Sequence, residues 1–298
     1  MTTRSRGPAA GFGWLKNGFS VGFRHPKPLF GGAAFLLLGC SLPSLISLLL
    51  QFQAMRTGIP LNPTTSLWAM AFSMLFGLLL VPLYGGYLQV IDAAERGIPT
   101  RALDVFNPYR QGDAAQLIGF GLAMLAIYIA MAGLIIVVTA GGIASWYMQL
   151  LTAQSSHLPP PTLPEGFGIA MTLLIVLGIV MLGFHAIGLG QVALNRRNVF
   201  GAVSDGMTGA LKNLLPLLVF VLSMMLAWIA VAIVIAIVAV VLILLSKLIG
   251  AWLLVLFIPL YIALFLIAFT VMFGAMYHLW RDVCGDDMVP DMAQAIAV

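Results

Sequence analysis

The sequence predicts an all-α membrane protein with six transmembrane helices, arranged as three hairpins that are each preceded by an amphipathic interfacial segment. The first observation is composition. Of 298 residues, 61% are hydrophobic and 8% are charged, and the mean hydropathy is +1.06. A chain this apolar has too few polar and charged residues to form a sizeable soluble domain as well. The second observation is a set of six long apolar runs, and the third is the placement of Lys and Arg between them.

Each apolar run is long enough to cross ~30 Å of hydrocarbon at ~1.5 Å per helical residue. The predicted helices cover residues 28–50, 67–94, 114–145, 167–194, 214–245 and 248–280. The third run continues to Leu151, which exceeds what a bilayer needs, so a break is expected at Gly141-Gly142. Small residues along the third helix suit close packing against another helix, in this chain, in a second copy or in another membrane protein. They are Gly119, Ala123, Ala126, Ala130 and Gly133.

The basic residues predict an orientation. With a cytoplasmic N-terminus, twelve of the fourteen Lys and Arg residues lie on the cytoplasmic side, and only Arg56 and Lys247 lie outside. The reverse orientation would contradict the positive-inside bias, so both termini are predicted to be cytoplasmic. The net charge of +4 lies at helix ends, which favours anionic lipid headgroups over nucleic acid as the partner. The residues expected to contact headgroups are Lys16, Arg24, Lys27, Arg101, Arg110, Arg197 and Lys212.

Two segments that precede apolar runs have amphipathic helical spacing. The first has an apolar stripe of Phe12, Leu15, Phe19 and Phe23. The second has a stripe of Val199, Val203, Met207, Ala210 and Leu211, opposite Ser204, Asp205, Thr208 and Lys212. Residues 14–28 align with 202–216 at a constant offset of 188, and a weaker third copy covers 102–113. This favours three parallel repeats. The alternative is that any cytoplasmic lead-in to a membrane helix is short, amphipathic and basic.

Polar groups at membrane depth are the best pointers to a site. His185 is the clear candidate, either as a proton relay or ligand contact, or as a structural histidine bonded to a neighbouring helix. Further polar residues near the cytoplasmic helix ends predict a cluster at the mouth of the bundle, unless they are ordinary helix-end polarity with Asp92 paired locally. The predicted ligand-binding residues are His185, Gln89, Asp92, Glu95, Arg96, Gln191 and Arg281, and His278 lies at the same depth.

Motifs for catalysis or cofactor binding are missing from the sequence. It has no phosphate-binding glycine loop, no metal-ligand spacing and no recognisable serine–histidine–acid motif. We therefore expect no catalytic residues, no metal and no cofactor. The leading expectation is a non-enzymatic protein that binds or organises lipid, or a hydrophobic ligand, through a cytoplasm-facing cavity. The alternatives are a scaffold or accessory subunit of a larger membrane complex, and a small-solute transporter that uses His185.

Three short stretches resemble a known family. They are Gly13-Trp14 followed by Phe23-Arg24-His25-Pro26, then Glu95-Arg96-Gly97-Ile98-Pro99 leading to Val105-Phe106, and finally residues 277–283. Together they resemble a family of uncharacterised six-helix bacterial inner-membrane proteins. More distantly, they are similar to the membrane domain that accompanies some glycerophosphodiester phosphodiesterases. The resemblance spans nearly the whole chain. It implies an inner-membrane location and a connection with lipids, and it brings no catalytic or binding residues.

Overall fold

The computed structural model describes residues 3–57, 63–155 and 158–285, and over these ranges the chain is all-helical without strands, as predicted. The helices are α1 (Ala10–Arg24), α2 (Pro26–Thr57), α3 (Pro63–Glu95), α4 (Asn107–Gln111), α5 (Ala114–Val138), α6 (Gly142–Ser155), α7 (Phe167–Ala193), α8 (Val199–Lys212), α9 (Leu214–Ile249) and α10 (Phe257–Cys284). Two 3₁₀ helices cover Ala102–Phe106 and Ala251–Leu256. Among the described helices, α2, α3, α5, α7, α9 and α10 are long and apolar enough to span a membrane, which confirms the six predicted.

Several predicted helix ends differ from the structure. The third predicted helix, 114–145, stops early because Ala140 and Gly141 adopt left-handed conformations, with φ of 47° and 76°. The sixth, 248–280, begins too early, because α9 continues through the predicted turn to Ile249 and α10 begins only at Phe257. α2 likewise runs past its predicted end at residue 50 to Thr57. The six apolar runs were predicted correctly, and the predicted break at Gly141-Gly142 is confirmed, since α6 begins at Gly142; the ends of the other helices named here were not.

The long helices form an inner and an outer set. α3, α7 and α10 contact one another pairwise and contribute most of the buried core through their C-terminal halves. The outer helices pack around them: α2 contacts α3 and α10, α5 contacts α3 and α7, and α9 contacts α7 and α1. Tyr87 ties three of them together, because its hydroxyl donates to the Leu29 carbonyl and lies 3.1 Å from Thr270 Oγ1.

The shorter helices α1 and α8 dock through small residues. α1 packs on α10, where a Cβ added at Gly18 would lie 2.5 Å from the Ala275 amide nitrogen. α8 packs on α7, where a Cβ at Gly206 would lie 2.8 Å from the Phe184 ring. Asp205 is buried on this docking face at 8% exposure, so its position opposite the apolar stripe does not make it part of a headgroup-facing polar side, as the sequence suggested. Small residues bring each helix close to the bundle, and on α1 the large apolar side chains of Trp14 and Val21 are buried beside them.

Charged residues from four helices (α1, α3, α8 and α10), from the adjoining loops and from the N-terminal segment meet at one end of the bundle, which we call the charged end. Ion pairs join Arg6 to Asp282, Arg24 to Glu95, Arg96 to Asp92, Arg196 to Asp113 and Arg197 to Asp205. The two described chain ends also meet there, since the Arg4 amide donates to the Val283 carbonyl at 3.0 Å. Arg56 and Lys247 lie at the opposite ends of α2 and α9.

Candidate functional site

An apolar cavity of about 660 Å³ lies between α5, α7 and α10, with one side chain each from α3 and α9. Four methionines line it (Met131, Met181, Met272 and Met276), together with aromatic rings. Gly178 of α7 leaves part of this space open, because a Cβ added there would meet nothing within 4 Å. Flexible thioether side chains around an open space suit an apolar ligand of irregular shape.

Among the described residues that line this cavity, His185 is the one histidine and no Asp, Glu, Lys or Arg occurs; the other polar side-chain groups are the hydroxyls of Tyr84 and Tyr128. Its Nδ1 atom is buried and has no hydrogen-bond partner among the described residues. A neutral imidazole offers one donor and one acceptor, and leaving either unpaired in an apolar site is unfavourable. The structural alternative, a histidine bonded to a neighbouring helix, is therefore not met through Nδ1 among the described residues. Its ring packs beside Phe120, with centroids 6.2 Å apart.

A second cavity, of about 590 Å³, lies at the charged end between α1, α3 and α10, and we call it the polar cavity. Glu95 is held there by Arg24 at 3.0 Å, and its side chain is 7% exposed. Asp282 accepts a hydrogen bond from Trp14 Nε1 at 2.9 Å. His278 also lines the cavity, and its Nε2 atom is buried without a hydrogen-bond partner among the described residues.

The seven predicted ligand-binding residues do not form one cluster. His185 lines the apolar cavity, while Glu95 and Arg281 line the polar cavity, and the two cavities share no lining residue. The single cytoplasm-facing cavity expected from the sequence is thus two separate spaces. The remaining four residues (Gln89, Asp92, Arg96 and Gln191) line neither.

Those four residues form local contacts between helix ends. Gln89 Nε2 donates to the Ala193 carbonyl at 2.9 Å, which joins α3 to α7. Asp92 pairs with Arg96 at 2.9 Å and accepts from the Tyr277 hydroxyl at 3.0 Å. The Asp92 carboxylate raises the pKa of the Arg96 guanidinium, chiefly through the hydrogen bond that Arg96 Nε donates to Asp92 Oδ1. Asp92 is therefore paired locally, as expected from the alternative in which these residues are ordinary helix-end polarity.

Gln191 is fully buried and belongs to a contact that the sequence did not reveal. Its Nε2 donates to Asp205 Oδ2 of α8 at 3.1 Å, and its Oε1 accepts from Asn195 Nδ2 at 2.6 Å. Arg197 pairs with the same Asp205 oxygen at 3.2 Å. This network fixes the end of α7 to α8.

The residues predicted to contact headgroups divide into two groups. Arg24, Arg197 and Lys212 have protein partners: Glu95, Asp205 and the Thr3 carbonyl, respectively. Exposed side chains at the charged end form the other group, namely Lys16, Lys27, Arg101 and Arg110. Within the described residues, no group of three or more metal-ligating side chains occurs.

Comparison of this chain with models of known protein families, with curated proteins and with solved structures gives no match. The two cavities are therefore the features of the described residues that point to a function.

Proposed function

We propose that this chain is a non-enzymatic protein of the bacterial inner membrane that binds a lipid or another hydrophobic ligand in its apolar cavity. The observation that carries the proposal is the cavity itself. Its volume of about 660 Å³ lies within the range of ~300–1,000 Å³ typical of small-molecule sites. Its lining is almost entirely apolar, with His185 and the hydroxyls of Tyr84 and Tyr128 as its polar side-chain groups, so a polar solute would lose most of its hydration there with little compensation.

The arrangement around the cavity supports a membrane ligand. The cavity lies among helices long and apolar enough to span a bilayer, at the level where α5, α7 and α10 are surrounded by exposed apolar side chains. In a bilayer this level is occupied by acyl chains. A ligand that is already dissolved in the hydrocarbon can therefore reach the cavity without crossing the charged end.

We further propose that the charged end faces the cytoplasm and that the chain forms three hairpins with interfacial lead-ins. The concentration of Arg and Lys at this end supports the orientation through the positive-inside bias. Phe12, Phe19 and Phe23 of α1 are each more than half exposed, which supports an interfacial position for that helix. The resemblance to inner-membrane proteins and to a phosphodiesterase membrane domain supports the location and the link with lipids.

Native mass spectrometry of the gently extracted chain tests the ligand. We expect lipid that co-purifies from the bacterial membrane to remain bound to the unaltered protein and to be lost from Gly178→Phe, whose ring would occupy the cavity. Gly168→Phe is the matched control. It places the same side chain on the same helix, where a Cβ also meets nothing within 4 Å, but outside the cavity. Equal lipid retention by both variants would contradict the proposal.

A second candidate function, small-solute transport, is favoured by the unpartnered Nδ1 of His185. An imidazole without a protein partner is available to a ligand or a proton. Proteoliposomes that contain a pH-sensitive dye can be screened against a panel of small solutes. Solute-dependent proton flux that His185→Ala abolishes, at unchanged expression, would support transport. Flux that persists in this variant would remove His185 from that role.

A further inference from the structure

The polar cavity at the charged end has more basic than acidic groups. Four arginines line it (Arg4, Arg6, Arg24 and Arg281), against the carboxylates of Glu95 and Asp282. Arg4 has an interaction of its own, and the other three arginines against two carboxylates leave a formal excess of one positive charge. A concave site with this excess attracts anions, and its walls concentrate the field.

The two acids already have partners, whereas two donors on α10 do not. Glu95 is paired with Arg24, and Asp282 interacts with both Arg6 and Trp14.

The side chain of Arg281 forms no ion pair or hydrogen bond with any residue that the structure describes. His278 Nε2 is buried and equally without a partner among those residues. Because residues three apart share a helix face, these two donors point to the same side of α10.

The position of α1 shows from which side a ligand enters. Ala10, Gly13 and Asn17 line the polar cavity, and helical spacing places the exposed Phe12 and Phe19 on the opposite face of α1. If these phenylalanines contact lipid, the cavity faces the water side of the interface. A soluble anion then reaches it directly, while a lipid headgroup must extend past α1.

We propose that the polar cavity binds a phosphate group, with Arg281 and His278 as its principal donors. The planar guanidinium matches two phosphate oxygens, and an imidazole N–H supplies a third hydrogen bond. The volume of about 590 Å³ exceeds what a bare phosphate fills, so the group would be carried by a larger molecule: a soluble phosphate ester or a phospholipid. This site is separate from the apolar cavity and does not depend on the function proposed there.

The test measures phosphate binding by the full chain in maltoside micelles, which contain no phosphate, at roughly 0.1 M sodium chloride to screen non-specific attraction. One arm titrates inorganic phosphate by calorimetry. The other adds phosphatidic acid to the micelles and measures its retention by native mass spectrometry. Arg281→Gln removes the proposed donor without leaving an unpaired acid. Arg110→Gln is the matched control, because Arg110 is exposed at the same end but does not line the cavity.

We expect Arg281→Gln to weaken binding at least about tenfold, the effect of losing a charge-assisted hydrogen bond, and Arg110→Gln to leave it unchanged. Saturable binding of inorganic phosphate with this pattern identifies a soluble ester as the source. Retention of phosphatidic acid alone, with the same pattern, identifies a lipid headgroup. Binding of neither probe, or equal loss in both variants, would overturn the proposal. Size-exclusion chromatography of both variants verifies that they remain folded.

Discussion

Replacing Gly18 with Ala tests whether α1 is held to the bundle by close backbone contact. In the structure, a Cβ at this position would lie 2.5 Å from the amide nitrogen of Ala275 and 2.6 Å from the carbonyl oxygen of Val271. Both are backbone atoms of α10, so neither can rotate away. α1 would have to retreat by about 0.9 Å to extend the 2.5 Å approach to the 3.4 Å of ordinary contact.

Two effects of opposite sign decide the magnitude. Ala is favoured over Gly within a helix by about 1 kcal/mol. Overpacking a rigid contact costs about 1–3 kcal/mol, and a gap of this size forfeits a quarter to a half of the dispersion energy of neighbouring contacts. The contact of Trp14 with Phe220, with ring centroids 6.5 Å apart, lies on the same side of α1. We expect α1 to be destabilised relative to the matched variant below by about 2 kcal/mol.

Gly13→Ala is the matched variant, since a Cβ at Gly13 meets nothing within 4 Å and the gain in helix propensity is the same. Hydrogen exchange of the amides in Ala10–Arg24 reports the local opening of α1 without requiring global unfolding. A difference of about 2 kcal/mol corresponds to roughly thirtyfold faster exchange in Gly18→Ala than in Gly13→Ala. Equal protection in the two variants would refute the close docking of α1 on α10.

Two further predictions concern the charged end. Replacing Asp205 with Ala removes the acceptor of the buried Gln191 amide, so we expect the free energy of detergent-induced unfolding to fall by about 1–3 kcal/mol. The control Ser204→Ala, at the exposed neighbouring residue, should change this free energy little. A loss for Asp205→Ala no larger than that of the control would contradict this role. Joining the two described ends, Thr3 and Gly285, through a short linker and opening the exposed loop 97–100 should give a permuted chain that still folds, because these ends already lie side by side. Size-exclusion chromatography and thermal unfolding measure this outcome, and aggregation of the permuted chain in two or more detergents would contradict it.

The spans could be predicted because hydropathy is summed over about twenty residues, so that single misassignments cancel. Helix ends depend on single residues and could not be predicted in this way. The predicted turn at residues 246–247 contains Lys247, but one long cationic side chain at a helix end can extend toward polar surroundings without ending the helix. α9 ends instead at Ile249, and Gly250 follows with a φ of 136°, which is accessible to glycine and strained for other residues.

The sequence predicted how far along the bundle each candidate residue lies, but not which neighbouring helix its side chain contacts. Asp92 and Gln191 lie near the same end of the bundle, as their positions along the apolar runs indicate, yet each contacts a different neighbour: Tyr277 for Asp92 and Asp205 for Gln191. Depth follows from counting residues along a helix, whereas direction depends on which helix packs beside it. For α8 the apolar stripe was misleading, because the small residues Gly206 and Gly209 allow the closest approach to α7.

The packing of the short segments bears on the possible repeats. Gly86 of α3 lies against the backbone of Val105 in the 3₁₀ helix that follows it, and Gly274 of α10 lies against Gly18 of α1. Gly86 and Gly274 are separated by 188 residues, the same offset that aligns the segments before the first and fifth membrane helices. α8 packs on α7 in the corresponding way, so each lead-in docks on the second long helix of the preceding unit. For α1 the preceding unit is the last one, reached only by closing the chain into a ring. This cyclic order of contacts is what triplication would produce, and triplication stays a prediction.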